Sequence, residues 1–236
     1  MFSYYGCKTR VVDHYPPPRQ DLIIEPFAGS ARYALKYWER DVILVDKYKL
    51  LVDVWKWLQQ CSYDDIIKLP RMEFGEHVDD YKWDCKEQRD FMGFLMGWAT
   101  TSPRRTATVK LKQRPNFVNY SLKRIASQIE HIKHWDIRCG EYQDIEDVEA
   151  TWYIDPPYSL RGGDKYVHGN NKIDFNELGE WCQSRKGFVM VCESSNATWL
   201  PFKPLKETKT TKGKMVEGIW TNEPTAFDLE QLKLKI

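Results

Sequence analysis

Residues 21–46 read DLIIEPFAGSARYALKYWERDVILVD. Two short apolar runs, 21–27 and 41–46, flank a segment whose apolar residues Ala31, Ala34, Leu35 and Trp38 fall at helical spacing, with Ser30 placed to cap the helix start. Apolar runs of this length, ended by turn residues, read as buried strands. KYKLLVDVWKWLQQ follows as a second amphipathic helix, with Leu50, Leu51, Val54, Trp57 and Leu58 on one side. Strand–helix–strand–helix in this order predicts an α/β fold on a parallel sheet.

The alternation breaks between about 61 and 128, where polar residues interleave with Trp, Phe and Tyr. It resumes with strand-like WDIRCGEY (135–142), ATWYI (150–154) and GFVMVCE (187–193), with a helix at 175–184. KETKTT and EGIWTN, on either side of Gly213, predict an antiparallel hairpin at the sheet edge. The expected organisation is one sheet domain, residues 1–59 and 130–236, split by an insert at 60–129. A chain of 236 residues, 42% apolar, can bury such a core as a single α/β domain.

The formal net charge is +1, so any preference for polyanions must be local. Six cysteines form no Cys-x-x-Cys pair and have no histidine cluster beside them, so no metal site is expected. With no apolar leader and no membrane-length apolar run, the expectation is a cytoplasmic protein with reduced thiols.

EPFAGSA (25–31) joins the first strand to the first helix. Gly29 allows a sharp turn close to a ligand, and Asp46 ends the next strand, where an acid can hold ribose hydroxyls. The pattern is neither Gly-x-Gly-x-x-Gly nor a P-loop, which argues against a pyrophosphate and leaves room for a nucleoside cofactor without one. An ordinary strand–helix turn with a solvated aspartate fits the same residues.

TWYIDPPYSL (151–160) places Asp155 at the carboxyl end of a buried strand. Pro156 and Pro157 fix the backbone and offer no N–H. The segment therefore presents acceptors only, the Asp155 carboxylate and the Pro156 carbonyl, beside the flat ring of Tyr158. Rigid acceptors suit a group with two hydrogens to donate, such as an aromatic amine. Drawing on both hydrogens localises the nitrogen lone pair, which can then attack an electrophilic methyl in line. Catalysis of that kind is positioning plus electrostatics.

These stretches, in this order, resemble the Dam-like N6-adenine DNA methyltransferases, in particular phage-type members, which use S-adenosyl-L-methionine. The resemblance covers most of the chain outside the insert and implies a Rossmann-like methyltransferase sheet carrying an inserted target-recognition domain. YYGCKTR resembles the family's N-terminal cofactor motif, implying that Tyr4 and Lys8 line the cofactor pocket. EPFAGSA resembles its Phe-x-Gly motif, placing Phe27, Gly29 and Ser30 beside the methionine part. VDKY puts Asp46 on the ribose. CGEYQDI puts Glu141 and Tyr142 near the cofactor adenine, and DPPY is the catalytic motif, carried by Asp155, Pro156 and Tyr158. Three features depart from the family. Ala31 stands where a second glycine is usual, Cys7 stands where glycine is common and would be strained if that position needs positive φ, and the Arg-x-x-Phe-Asn pattern of GATC-specific relatives is missing.

Between Asp90 and Glu130 there is no acidic residue, while Arg104, Arg105, Lys110, Lys112, Arg114, Lys123 and Arg124 supply cations, interleaved with Trp98, Phe117 and Tyr120. This reads as a double-stranded DNA surface, on which a target adenine is rotated out of the stack by a monomer or weak dimer. SLRGGDKYVHG (159–169) can be a loop closing over substrate or a plain connector. Methylation of RNA or of the cytosine N4 amine, and a methyltransferase-like DNA-binding protein whose cofactor site has decayed, are the alternative readings.

Overall fold

A computed structural model describes residues 1–160, 162–210 and 213–225. Residues 226–236 of the expected catalytic segment, together with Arg161, Thr211 and Lys212, lie outside the described residues.

The chain enters the sheet at β1 (Leu22–Glu25) and passes through α1 (Arg32–Lys36) into β2 (Asp41–Asp46). It continues through α2 (Lys49–Gln60), α3 (Tyr63–Ile67), α4 (Lys86–Leu95), α5 (Val109–Gln113) and α6 (Phe117–Ala126) to β3 (Asp136–Cys139). Then come β4 (Ala150–Ile154), α7 (Phe175–Ser184), β5 (Gly187–Ser194) and a hairpin, β6 (Lys203–Thr210) and β7 (Gly213–Thr221). Among the described residues, seven strands form one sheet in the order β3-β2-β1-β4-β5-β7-β6. β1 to β5 pair in parallel, and β7 pairs antiparallel to both β5 and β6. The expected α/β fold on a mostly parallel sheet is therefore present, with an edge hairpin, and is compatible with a Rossmann-like fold. Pro204, at a register shift in the edge strand β6, sits where a missing N–H costs no interior ladder bond.

Strand alternation sorts the core onto two faces. Ile23, Leu44, Tyr153, Phe188, Met190 and Ile219 face one cluster; Ile24, Val45, Trp152, Ile154, Val189 and Val191 face the other. α7 covers the second face through Leu178 and Cys182, and its bounds match the expected 175–184. The first face takes Leu51, Val54, Trp55 and Leu58 of α2, together with Phe91 and Phe94 of α4, Leu111 of α5 and Leu122 and Ile125 of α6. The segment 60–129 thus shares the sheet's core instead of forming one of its own. Its helices are five to ten residues long, too short for the apolar period to stand out among the irregular links.

Two local expectations fail around α1. The helix is only five residues long, and Ser30 makes no capping bond; the capping position is Ala31, at φ 46 and ψ 47. The tight return from β1 explains this. The Ala28 amide donates to the Val45 carbonyl at 3.0 Å and the Ala31 amide to the Ala28 carbonyl at 2.7 Å, so the chain must coil left-handedly before the helix begins. Ala31 is the one non-glycine with positive φ among the described residues, so Cys7 carries no such strain.

Candidate functional site

β1 is flanked by β2 on one side and β4 on the other, so the strand order reverses between β1 and β4. Chain connections diverge there and leave a crevice at the carboxyl ends of the strands. A cavity of about 270 Å³ opens at this place, walled by the turn after β1, the end of β2, the start of the chain and Asp155 after β4.

The turn is fastened from three directions. Gly29, at φ 46, donates its amide to Asp46 Oδ2 at 3.1 Å. Its carbonyl accepts from the indole N–H of fully buried Trp55 at 3.0 Å. Asp46 Oδ1 accepts from the Tyr48 amide at 2.8 Å. Asp46 is thus both a brace for the turn and part of the cavity wall. Burial pushes its carboxyl up to about 6, against the pull of the two amides. Each carboxylate oxygen has a further lone pair, so hydroxyl donors can still be accepted.

Lys8, 8% exposed, reaches across the crevice. Its ammonium donates to Asp155 Oδ1 at 2.5 Å and Oδ2 at 2.7 Å, and to the Gly6 carbonyl at 3.2 Å. Burial raises the Asp155 carboxyl to about 6, with Lys8 the main opposing influence. The carboxylate is therefore ionised at neutral pH and held in one orientation. Lys8 Nζ also lies 4.8 Å from the Tyr158 ring centroid.

Tyr4, Lys8, Phe27, Gly29, Ser30, Asp46, Glu141, Tyr142 and Asp155 all line this one cavity, so the nine positions expected around a cofactor come together. Phe27 and Tyr142 pack with centroids 5.6 Å apart, and Glu141 is ion-paired to Lys47. Pro157 lines the cavity, whereas Pro156 and Tyr158 do not; the Tyr158 hydroxyl instead donates to Glu217. Cys7 is in the wall too. Burial works against its ionisation, but Arg32 and a 2.8 Å contact with Thr9 bring the thiol down to about 7.

Sequence reasoning missed Tyr166, Val167, His168 and Glu25, which also line the cavity. The first three come from the loop 159–169, for which the sequence allows two roles. Tyr166 donates to the Tyr5 carbonyl at 3.2 Å and packs against the rings of Tyr4 and Tyr5. Glu25 is the last residue of β1 and is buried. Its Oε1 accepts from the Ala34 amide at 2.6 Å, and burial raises its carboxyl to about 8.

Not all seven cations expected on DNA are free. Arg105, Lys112, Arg114, Lys123 and Arg124 are exposed. Lys110 is buried: its ammonium donates to the Gly97 carbonyl at 3.0 Å and lies 3.5 Å from the Phe117 ring centroid. Arg124 donates to the Met1 carbonyl at 2.7 Å. Arg104 is half-buried, with its Nε enclosed and without a partner. Lys110, whose ammonium also lies 5.1 Å from the Trp98 ring centroid, is thus an internal strut, not a phosphate ligand. Trp98 and Tyr120 are 49% and 68% exposed. Two residues past Trp98, Thr100 bridges to Tyr4, and its carbonyl accepts from the Tyr5 amide at 3.1 Å. The cationic segment therefore abuts the cavity rim.

Among the described residues there is no group of three or more His, Cys, Asp or Glu side chains able to hold a metal ion, and no helix long and apolar enough to cross a membrane. No protein-family model matches this sequence, and no curated protein matches it.

Proposed function

We propose that this chain is an S-adenosyl-L-methionine-dependent methyltransferase acting on the N6 amine of adenine in double-stranded DNA. One observation carries the reading: the Gly29 turn, Asp46 and Asp155, at the carboxyl ends of three adjacent strands, open onto a single cavity at the strand-order reversal.

The cavity suits a nucleoside without a pyrophosphate. The Gly29 amide is committed to Asp46, and α1 has five residues, so the turn lacks the free amides and long helix that cradle a diphosphate. Asp46 offers acceptors for ribose hydroxyls, and Phe27 and Tyr142 offer aromatic surface. When bound, S-adenosyl-L-methionine supplies a methyl group on a positively charged sulfur. Asp155, held ionised by Lys8, accepts hydrogens from the substrate amine. This raises the electron density available on the amine nitrogen; the Pro156 carbonyl, expected as a second acceptor, belongs to a residue outside the cavity wall. As the methyl passes from sulfur to nitrogen and the sulfonium becomes a neutral thioether, the nitrogen's proton would pass to the Asp155 carboxylate, which burial makes more basic than an ordinary aspartate.

The recognition unit in this proposal is the layer 60–129, with Arg105, Lys112, Arg114 and Lys123 on phosphates and Trp98 at the rim. Arg104, half-exposed, is available through its outer nitrogens. All six cysteines are unpaired, in keeping with a cytoplasmic, reducing setting.

Tritiated methyl transfer to DNA and to RNA, followed by digestion to nucleosides, tests this. Label in N6-methyladenine from DNA is expected. Label in N4-methylcytosine alone, or in RNA alone, would replace the substrate assignment. Calorimetry that detects no S-adenosyl-L-methionine binding at millimolar concentration would favour the decayed DNA-binding protein, for which Ala31 in the strained turn is the specific observation.

A further inference from the structure

Glu217 lies on β7, registered between Ser194 of β5 and Lys206 of β6, and is 1% exposed. A carboxylate inside a sheet core is costly unless charge-assisted hydrogen bonds satisfy it. Two phenols do so here. Glu217 Oε1 accepts from the Tyr15 hydroxyl at 2.7 Å and from the Tyr158 hydroxyl. Tyr15 packs edge-on against Tyr153, centroids 5.4 Å apart, and Tyr153 stacks on Tyr33 at 4.5 Å and 2°. The Tyr158 ring is thereby tied to a wall of three aromatic residues that cannot easily turn.

The backbone beside Tyr158 is pinned as firmly. The Ser159 amide donates to Glu193 Oε2 at 2.7 Å, and Asn170 Nδ2 donates to the carbonyls of Tyr158 and Ser159, both at 3.0 Å. Glu217 itself does not line the cavity, so it acts only through its neighbours. We infer that Glu217 is a positioning residue that fixes the plane of the Tyr158 ring and, through its charge, sets the basicity of Asp155.

The charge half follows from what surrounds Asp155. The Tyr158 ring, whose hydroxyl donates to Glu217, lies 4.8 Å from Lys8 Nζ, and Lys8 in turn donates to both Asp155 oxygens. The titratable groups acting on Asp155 are Lys8 from the N-terminal segment, Glu25 from β1, Tyr153 from β4, Tyr158 and Tyr166 from the chain after β4, Cys192 and Glu193 from β5 and Glu217 from β7. Lys8 is the cation nearest Asp155, and Glu217 also acts on it. Removing the Glu217 charge leaves Lys8 to act on Asp155 with less competition, so Asp155 then releases its proton at lower pH.

The catalytic half of this inference rests on the methyltransferase reading. The test compares wild type, Glu217→Gln, Tyr158→Phe and the double variant. Three measurements are made: S-adenosyl-L-methionine affinity by calorimetry, kcat and KM for DNA methylation against pH, and an NMR titration of the Asp155 carboxyl carbon without substrate. Cofactor affinity should stay within about twofold. Each single variant should lower kcat about tenfold or more, and the double variant should be no worse than the poorer single, because the two residues act as one unit. The acid limb and the Asp155 titration should move to lower pH in Glu217→Gln and stay near wild type in Tyr158→Phe. A Glu217→Gln protein with wild-type kcat, or losses that multiply in the double variant, overturns the inference. Should wild type methylate no nucleic acid, the methyltransferase reading fails, and the NMR titration still decides on Glu217: an unmoved Asp155 carboxyl overturns it. Should Glu217→Gln not fold, Tyr158→Phe decides alone, and wild-type kcat overturns the inference.

Discussion

The Lys8 ammonium bridges both oxygens of Asp155, at 2.5 and 2.7 Å, across 147 residues of chain. This ion pair closes one wall of the cavity and sets the state of its central acid. Breaking a buried pair by removing one partner costs roughly 3–5 kcal/mol, because the other charge is left uncompensated. Lys8→Met and Asp155→Asn should each destabilise the protein, and the double variant should lose less than the sum. Urea denaturation of the four proteins measures the coupling. Strictly additive losses would mean that the pair is not formed in solution.

Asp155 and Asp46 are both raised to about 6 by burial, and the proposed chemistry gives them separate duties. Each is the stronger hydrogen-bond acceptor when ionised, so function should fall as pH drops through about 6 and level off above it. Cofactor affinity against pH reports Asp46, while the single-turnover methylation rate at saturating cofactor reports Asp155. A rate that stays flat down to pH 5 would remove Asp155 from the acceptor role.

Glu25 should make stability depend on pH. Its folded-state value of about 8 lies above the ordinary 4.5, so the folded protein holds the proton more tightly than the unfolded chain. The resulting stability is present below about 4.5 and is lost as pH rises toward 8, at roughly 1.4 kcal/mol per pH unit at most. Glu25→Gln keeps an oxygen to accept from the Ala34 amide and lacks this titration. It should match wild type near pH 5 and exceed it in unfolding midpoint at pH 8.5. A constant difference across that range would contradict a protonated Glu25.

Ala31, at φ 46, occupies the left-handed region at a cost of about 1–2 kcal/mol for a residue with a Cβ. Ala31→Gly relieves that cost. It also gives up a buried methyl worth about 0.8 kcal/mol and frees the unfolded chain by about 0.4–1 kcal/mol. The effects nearly cancel, so the variant should lie within about 1 kcal/mol of wild type and bind S-adenosyl-L-methionine at least as well. Ala31→Val, branched at Cβ, should fold poorly. Loss of cofactor binding in Ala31→Gly would show that the alanine methyl itself packs on the ligand.

Salt dependence separates the free cations from the internal ones. Replacing Arg105, Lys112, Arg114 and Lys123 with alanine should lower the slope of log affinity for DNA against log salt by about 0.9 for each phosphate no longer neutralised. Lys110→Met should instead reduce stability and leave the slope unchanged, since its ammonium is bound to the Gly97 carbonyl. A slope unaltered by the fourfold variant would move the DNA surface elsewhere.

The strands β1, β2, β4 and β5, the bounds of α7, the turn at Gly29 and the place of Asp155 at a strand end could all be read along the chain. They rest on local physics: runs of apolar residues, helical spacing, and the backbone limits of glycine and proline act over a few neighbours. Only three-dimensional packing decided the rest. It paired Lys8 with Asp155 and set Glu217 against Tyr15 and Tyr158, 202 and 59 residues away. It folded the segment 60–129 onto the sheet's own core and turned Lys110 inward while leaving Lys112 in solvent. Such pairings join residues remote along the chain, and the burial that determines whether a charge is free, paired or protonated arises only once those segments meet.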